Sequence, residues 1–219
     1  MTWIVSAYDL LSKGGYVMIP LVACSVISVT VIIERYVTIR RAQADVTQTV
    51  RRAEDALYDG NVDRAIQILE AQDTPVTRVL RAGIQTRHLG ERGSERAMEE
   101  QGTLETRNLT KRLGALDTII TIAPLLGLLG TVTGMISAFH VIAAKEGIST
   151  PTAITGGVAE ALIATAAGLT IAIFTLIGYN HLQERIKHIV AEMETRGTAM
   201  VNVLADIGEG FNENKRLSA

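Results

Sequence analysis

Residues 147–183 read GISTPTAITGGVAEALIATAAGLTIAIFTLIGYNHLQ, and Glu160 is the only formally charged side chain in this stretch of 37 residues. A carboxylate within the hydrocarbon of a membrane costs at least about 2.5 kcal/mol on insertion scales. A second stretch, residues 118–144, has no formally charged side chain and is rich in glycine and threonine. The two stretches predict membrane-spanning helices, and the retained carboxylate predicts a function for Glu160.

The composition agrees with a membrane protein. Of the 219 residues, 47% are hydrophobic and 4% are aromatic, and the mean hydropathy is +0.25. A soluble domain of this size normally has more aromatic anchors and shorter apolar runs. The net charge of −2 supplies no basic field for nucleic acid.

The single cysteine, Cys24, excludes an internal disulfide and ends a segment, Leu21–Cys24, that matches a lipoprotein cleavage box. However, the uncharged run continues past Cys24 to Ile33, and Lys13 is the only positive residue before it. A signal peptide has a cationic start and a short apolar core. The pattern therefore favours a membrane anchor over a cleaved signal.

Three segments are long enough to cross a bilayer, which requires about 20 apolar residues. Basic residues follow the first and third segments and precede the second, and positive flanks stay in the cytoplasm. The predicted layout is, in chain order, a periplasmic N-terminus (1–13), a transmembrane helix (14–34), a cytoplasmic helical region (35–117), a second transmembrane helix (118–144), a periplasmic loop (145–152), a third transmembrane helix (153–178) and a cytoplasmic C-terminal helix and tail (179–219).

The cytoplasmic part is predicted to be helical throughout, which makes the chain an all-α membrane protein with long cytoplasmic helical extensions. Its pattern predicts helices over 35–58 and 62–71 with a turn at Asp59–Asn61 between them, and a third helix that starts at an Asp73–Pro75 cap. Leu89–Gly93 is predicted to break that third helix. From Ser94 no strong stop signal follows, so one helix is expected to run from the cytoplasm into the second span.

The third span is likewise expected to continue as a helix beyond the membrane. An apolar stripe follows it at spacings of three and four, formed by Leu182, Ile186, Ile189 and Met193. Such a stripe packs against other helices, either within the subunit or between subunits.

Glycines mark the faces on which the second and third spans are expected to pack. Gly127, Gly130 and Gly134 recur at helical spacing in the second span, and Gly157 and Gly168 belong to a small-residue surface on the third. Small residues let helix backbones approach closely in lipid, where no hydrophobic force draws helices together. We expect tight packing to be their role, ahead of a direct role in transport.

Glu160 is expected to face other protein, because its helix carries so many small residues. Thr165 lies five positions later, about 140° around a helix of 3.6 residues per turn. One stripe cannot hold both residues, although both can border a lumen in a ring of subunits. The alternative for Glu160 is a structural ion pair or a protonated carboxyl bonded to a neighbouring helix. Neither span contains a Lys or Arg to pair with it, which favours a functional role.

The sequence gives no sign of other kinds of site. The histidines have no metal-ligand spacing, no phosphate-binding loop is present and the cysteine has no partner motif. We therefore expect no catalytic site, no metal and no cofactor, and we predict that the protein is not an enzyme.

Two motifs resemble the MotA/TolQ/ExbB proton-channel family, and most closely ExbB and TolQ. They are PLLGLLGTVTGM at 124–135 and GVAEALIATAAGL at 157–169. The resemblance is strong over 116–179 and is weaker but colinear over 14–89. The three-span layout suits ExbB and TolQ, whereas MotA proteins are longer and have four spans.

The resemblance implies an inner-membrane motor. In such proteins five copies form a ring around the single transmembrane helices of a partner that resembles ExbD or TolR, and proton flow drives rotation. The family's ion-path positions fall on Thr131, Glu160 and Thr165. The partner is expected to supply an intramembrane Asp, and a periplasmic coupler similar to TonB or TolA is expected to receive the work.

The sequence departs from the family pattern at two positions. Gly156 stands where some relatives have Pro, and Phe174 stands where an Ala-Ile-Pro element is usual. The second change removes a proline kink from that half of the third helix.

We therefore predict the ring subunit of a proton-driven energy transducer. Siderophore uptake, envelope constriction and gliding are all compatible downstream processes. The alternative function is a passive membrane scaffold whose small-residue helices assemble a complex. Proton flux that requires a partner helix together with Glu160 or the threonines distinguishes the two. A soluble enzyme anchored by one span ranks third, and a single-span topology would favour it.

Overall fold

The computed structural model describes residues 15–144 and 151–217. The predicted N-terminus at 1–13 and residues 145–150 of the predicted loop lie outside the described residues. In chain order the elements are α1 (Met18–Ala42), α2 (Thr47–Tyr58), α3 (Val62–Ala71), α4 (Pro75–Gln85), a 3₁₀ turn (Arg87–Leu89), α5 (Glu91–Thr110), α6 (Leu113–Ala144) and α7 (Pro151–Leu217).

The predicted all-α fold class is confirmed. The described residues form helices without a strand, and α1, α6 and α7 are each long and apolar enough to cross a membrane. α6 and α7 include the second and third predicted spans, and α1 includes residues 18–34 of the first. The side of the membrane on which the other helices lie stays a prediction.

The turn before α3 and the cap at the start of α4 form where the sequence predicts them. Gly60 forms the turn between α2 and α3 with a φ of +76°, a conformation that glycine adopts without steric cost. The side chain of Thr74 caps α4 by accepting a hydrogen bond from the Thr77 N–H at 3.3 Å, and Thr77 Oγ1 accepts one from the Thr74 N–H at 3.0 Å. Pro75 occupies the first turn, where its missing N–H has no partner to lose.

The predicted continuous helix over 35–58 is wrong, because α1 ends at Ala42 and α2 begins at Thr47. At this break, Asp45 Oδ1 accepts a hydrogen bond from the backbone N–H of Thr47 at 2.9 Å. That bond and a second one from the Thr47 side chain lower the pKa of Asp45. A short acidic side chain just before α2 thus bonds the first residue of that helix, a local bond that competes with the continuous helix that propensity favours.

The expected helix from Ser94 into the second span is also interrupted. α5 ends at Thr110, Lys111 is extended, and Arg112 has a φ of +67° before α6 starts at Leu113. Neither Gly nor Pro occupies the break, so no sequence signal marks it. In contrast, α7 continues without interruption to Leu217, so the third span extends as a helix beyond its apolar segment as expected.

The chain divides into two compact units. Unit 1 comprises Met1–Glu34 and Arg112–His181, and unit 2 comprises Arg35–Lys111 and Leu182–Ala219. The core of unit 1 combines large residues from α1 and α6 with alanines; its buried members are Met18, Leu21, Ile119, Ala123, Ala164 and Ala172. Many large apolar side chains of unit 1 are exposed, among them Leu162 and Phe174. Such a surface suits lipid or other protein.

The core of unit 2 consists of long aliphatic side chains on amphipathic helices. Its fully buried residues include Leu69, Leu80, Ile84, Leu182 and Met200. The predicted stripe on α7 is part of this interior, since Ile186, Ile189 and Met193 are buried as well.

Candidate ion pathway

The glycines of α6 and α7 face each other within one chain. A Cβ placed on Gly127 would lie 2.9 Å from Thr165 Cα, and one on Gly134 would lie 3.0 Å from the Gly157 carbonyl oxygen. A Cβ on Gly168 would overlap the carbonyl oxygen of Ala123. The two backbones are therefore as close as the absence of side chains allows, which is the packing expected of small residues in lipid.

Gly130 contacts both neighbouring helices of unit 1. A Cβ on Gly130 would lie 2.5 Å from Ala164 Cβ on α7 and 3.7 Å from Val17 Cβ, just before α1. The face that carries Gly130 is thus occupied by other parts of the same chain. A larger residue here would disturb the fold of the chain itself.

Thr165 links α7 to α6. Its half-buried hydroxyl donates a hydrogen bond to the Gly127 carbonyl oxygen at 2.8 Å. Hydroxyls in helices usually bond to a carbonyl of their own helix, as Thr170 does to Ala166 at 2.7 Å. Thr165 instead bonds across the pair, because Gly127 lets the two helices touch at this level.

Thr131 lies on α6 one turn after Gly127 and is half-buried. Its hydroxyl donates to the Leu128 carbonyl oxygen of the same helix at 2.6 Å. Thr131 is therefore held in one orientation by its own helix. The hydroxyl oxygen still has lone pairs that can accept a further hydrogen bond.

Glu160 is exposed on α7, beside the start of α1. A Cβ placed on Gly15 would overlap Oε1 of Glu160 and would lie 3.2 Å from its Cδ. Among the described residues no ion pair to Glu160 is found. The carboxylate therefore faces the turn at Gly15 on one side and the surface of unit 1 on the other.

The three predicted ion-path residues are thus distributed over two helices. In the described part of the chain, no hydrogen bond joins Thr131, Glu160 and Thr165 to one another. A common lumen between copies stays a prediction. The contact between Gly15 and Glu160 was not foreseen, because a glycine before an apolar run has the sequence signature of an ordinary turn.

Two other features of the described residues concern possible sites. Within 15–144 and 151–217, no group of three or more His, Cys, Asp or Glu side chains could hold a metal ion. Unit 2 contains a groove of about 980 Å³ between α5 and the second half of α7, with four glutamates in its lining. None of the predicted ion-path residues lines this groove.

Comparison with known proteins identifies relatives over most of the chain. Residues 71–195 match the model of the MotA/TolQ/ExbB proton channel family. The chain is 38% identical over 173 residues to the ExbB-like biopolymer transport protein 1 of Synechocystis, which covers 78% of this chain and 68% of that protein. It is 30% identical over 205 residues to the Tol-Pal system protein TolQ of Pseudomonas aeruginosa, a match that covers 87% of this chain and 88% of that protein. A biopolymer transport ExbB protein of Vibrio cholerae is 29% identical over 192 residues, a match that covers 86% of this chain and 84% of that protein. The part that matches the family model includes Thr131, Glu160 and Thr165.

Proposed function

We propose that this chain, which belongs to the MotA/TolQ/ExbB proton channel family, is the ring subunit of a proton-driven motor in the inner membrane. The motor couples proton flow to mechanical work on a partner in the envelope. One observation carries the proposal: the only charged residue of the described apolar segment 156–178, Glu160, lies at the surface of unit 1. A costly intramembrane carboxylate that is kept at a surface needs another protein beside it.

The packing of α6 against α7 supports a path at the surface of the helix pair. Backbone atoms of the two helices lie too close at Gly127, Gly134 and Gly168 to leave room for water between them. A path inside one subunit is therefore closed at these levels. A path along the exposed side of the pair becomes enclosed once neighbouring copies or a partner helix cover it.

A partner is needed for chemical reasons. One carboxylate and two hydroxyls do not make a relay across a membrane, so we propose a single-span partner similar to ExbD or TolR that brings an intramembrane Asp. A ring of this chain, with five copies by resemblance, encloses that partner. A coupler similar to TonB or TolA then receives the work. Each proton that crosses a potential of 100 mV makes about 2.3 kcal/mol available.

The proposed orientation follows the basic flanks. The N-terminus lies in the periplasm, and residues 35–117 and the C-terminus lie in the cytoplasm. A single cysteine introduced at Gln67, in a Cys24→Ser background, is expected to react with an impermeant thiol reagent only after the inner membrane is opened. Reaction in intact spheroplasts would place α3 outside and reverse the proposed orientation.

The path is tested by substituting its residues in the assembled complex with the partner. Thr131→Ala, Thr165→Ala and Glu160→Gln are each expected to lower proton flux, by a factor on the order of 10², the lower end of what a positioned proton-transfer group contributes. The Thr→Ser variants should keep much of the flux, because the hydroxyl survives. Assembly should persist, since an intramembrane hydrogen bond contributes only about 0.6 kcal/mol on average.

Thr170→Ala is the matched control, because Thr170 is exposed on the same helix and donates to its own backbone. Flux should stay near that of the unaltered protein. If Glu160→Gln and Thr131→Ala both support full energy transduction at normal protein levels, the channel assignment is wrong. A passive scaffold, which the tight α6–α7 packing would also serve, would then be the better account.

A further inference from the structure

The turn that precedes α1 is formed by Gly15–Val17 and lies against Glu160. Gly15 has a φ of +68° and is half-buried. A Cβ on Gly15 would lie 3.2 Å from Cδ and 3.6 Å from Cγ of Glu160, and it would overlap Oε1. The carboxylate therefore occupies the space that a side chain at position 15 would need.

The position of this turn is set by the packing of α1. Met18 and Leu21 are 7% and 0% exposed, and both belong to the core of unit 1. Val17 also packs near Gly130 of α6, at a distance of 3.7 Å between Val17 Cβ and an ideal Cβ on Gly130. The turn is thus held by α6 and α7, and it cannot move away from Glu160 without disturbing buried contacts.

We propose that Gly15 is a positioning residue for Glu160. The turn closes one side of the carboxylate and directs it toward the exposed surface, where the ion path is expected to run. The missing side chain at Gly15 makes room for this orientation. The proposal deepens the proposed function and rests on it for the role of Glu160 in transport, but the orientation of the side chain can be tested without transport.

The first test measures the exposure of Glu160 by its reaction with dicyclohexylcarbodiimide, an apolar reagent that modifies carboxyl groups. Membranes that contain the full-length protein are labelled at one pH, and the adduct at Glu160 is quantified by mass spectrometry. In Gly15→Ala the added Cβ displaces the carboxylate toward the open side, so labelling should become severalfold faster. A rate equal to or below that of the unaltered protein would contradict the proposal.

Two controls separate the contact from backbone strain. Position 60 has a similar φ of +76° and open space around an added Cβ. Gly60→Ala therefore introduces backbone strain without a new contact, and it should leave the labelling rate unchanged. Gly15→Asn adds a Cβ but tolerates positive φ better than alanine does. It should accelerate labelling as Gly15→Ala does. If only the alanine variant changed the rate, backbone strain would explain the result and the proposal would be wrong.

The second test is rescue by a shorter acid. Glu160→Asp withdraws the carboxylate by one methylene and removes the overlap with a Cβ at position 15. In the complex with the partner, Gly15→Ala should lower proton flux by a factor on the order of 10², the scale of a 1 Å misplacement of a reacting group. In the Glu160→Asp background, Gly15→Ala should add little further loss. An equal loss in both backgrounds would overturn the proposal, because residues in contact are expected to couple.

The outcomes distinguish this proposal from the proposed function. If Glu160→Gln retains full proton flux, the channel assignment fails, while the labelling comparison still decides whether Gly15 positions the side chain. If labelling and flux in Gly15→Ala equal those of Gly60→Ala, the positioning role fails and the channel assignment is unaffected.

Discussion

The α6–α7 contact of unit 1 and the interior of unit 2 are made of different kinds of residue. Where α6 meets α7 in unit 1, glycines and alanines form the contact, and large side chains such as Leu128 and Phe174 are 57% and 69% exposed. In unit 2 the interior holds large aliphatic residues such as Leu80 and Ile84, each 0% exposed. The difference is the one expected between helices that pack in lipid and helices that pack in water.

The physical reason lies in the driving force. In water, burying apolar surface stabilises a fold by about 25 cal/mol per Å², so the interior of unit 2 collects the largest apolar side chains. In lipid a buried leucine gains little over an exposed one. Helices there associate through close van der Waals packing, and small residues permit it. The surface of unit 1 can therefore be apolar while its contacts are made of glycine and alanine.

The acids of the two units differ in the same way. The side chain of Glu105 in unit 2 is 4% exposed, with Arg78 at 3.1 Å and Gln101 at 2.8 Å. A buried charge of this kind is tolerated because it is paired and hydrogen-bonded. Glu160 in unit 1 is exposed and has no ion pair among the described residues. The first acid is enclosed by its partners, whereas the second is the acid for which a contact with a further molecule is proposed.

The largest effect expected from this comparison is a large-to-small change in unit 2. Leu80→Ala leaves a cavity at a fully buried position, so the free energy of unfolding should fall by about 2–5 kcal/mol. The measurement is the thermal loss of the helical circular dichroism signal of the purified protein in detergent. Leu104→Ala, at a position that is 49% exposed on α5, is the control and should change stability by less than about 0.5 kcal/mol. Equal effects of the two variants would contradict the conclusion that unit 2 is stabilised by burial of large apolar side chains.

A smaller effect is expected from the opposite change in unit 1. Gly168→Leu forces a branched side chain against the Ala123 carbonyl and the Gly127 backbone, and overpacking of this kind costs about 1–3 kcal/mol. The same unfolding measurement applies. Gly156→Leu is the matched control on α7, since no atom lies within 4 Å of its ideal Cβ. If Gly156→Leu destabilised the isolated subunit as much as Gly168→Leu, the α6–α7 contact would not be the one described.

The sequence was sufficient for the elements whose signals are local. The spans follow from uncharged runs of about 20 residues, and α3 and α4 follow from the turn at Gly60 and the cap at Thr74. The sequence did not predict the breaks at Gln43–Val46 and Lys111–Arg112, because neither segment contains the Gly or Pro that usually stops a helix. At the first break the Asp45–Thr47 hydrogen bond is a local feature, whereas no local signal marks the second break.

For the candidate site, the sequence by itself determined which residues are candidates for the chemistry. A lone carboxylate in an apolar segment and hydroxyls near it are visible from residue types and spacing, because their cost in a membrane depends on composition. Only the tertiary structure decided how they are held. The bond from Thr165 to Gly127 and the contact of Gly15 with Glu160 join residues 38 and 145 positions apart. No local pattern encodes such pairs, since they depend on how closely three helices pack and at which level α1 begins.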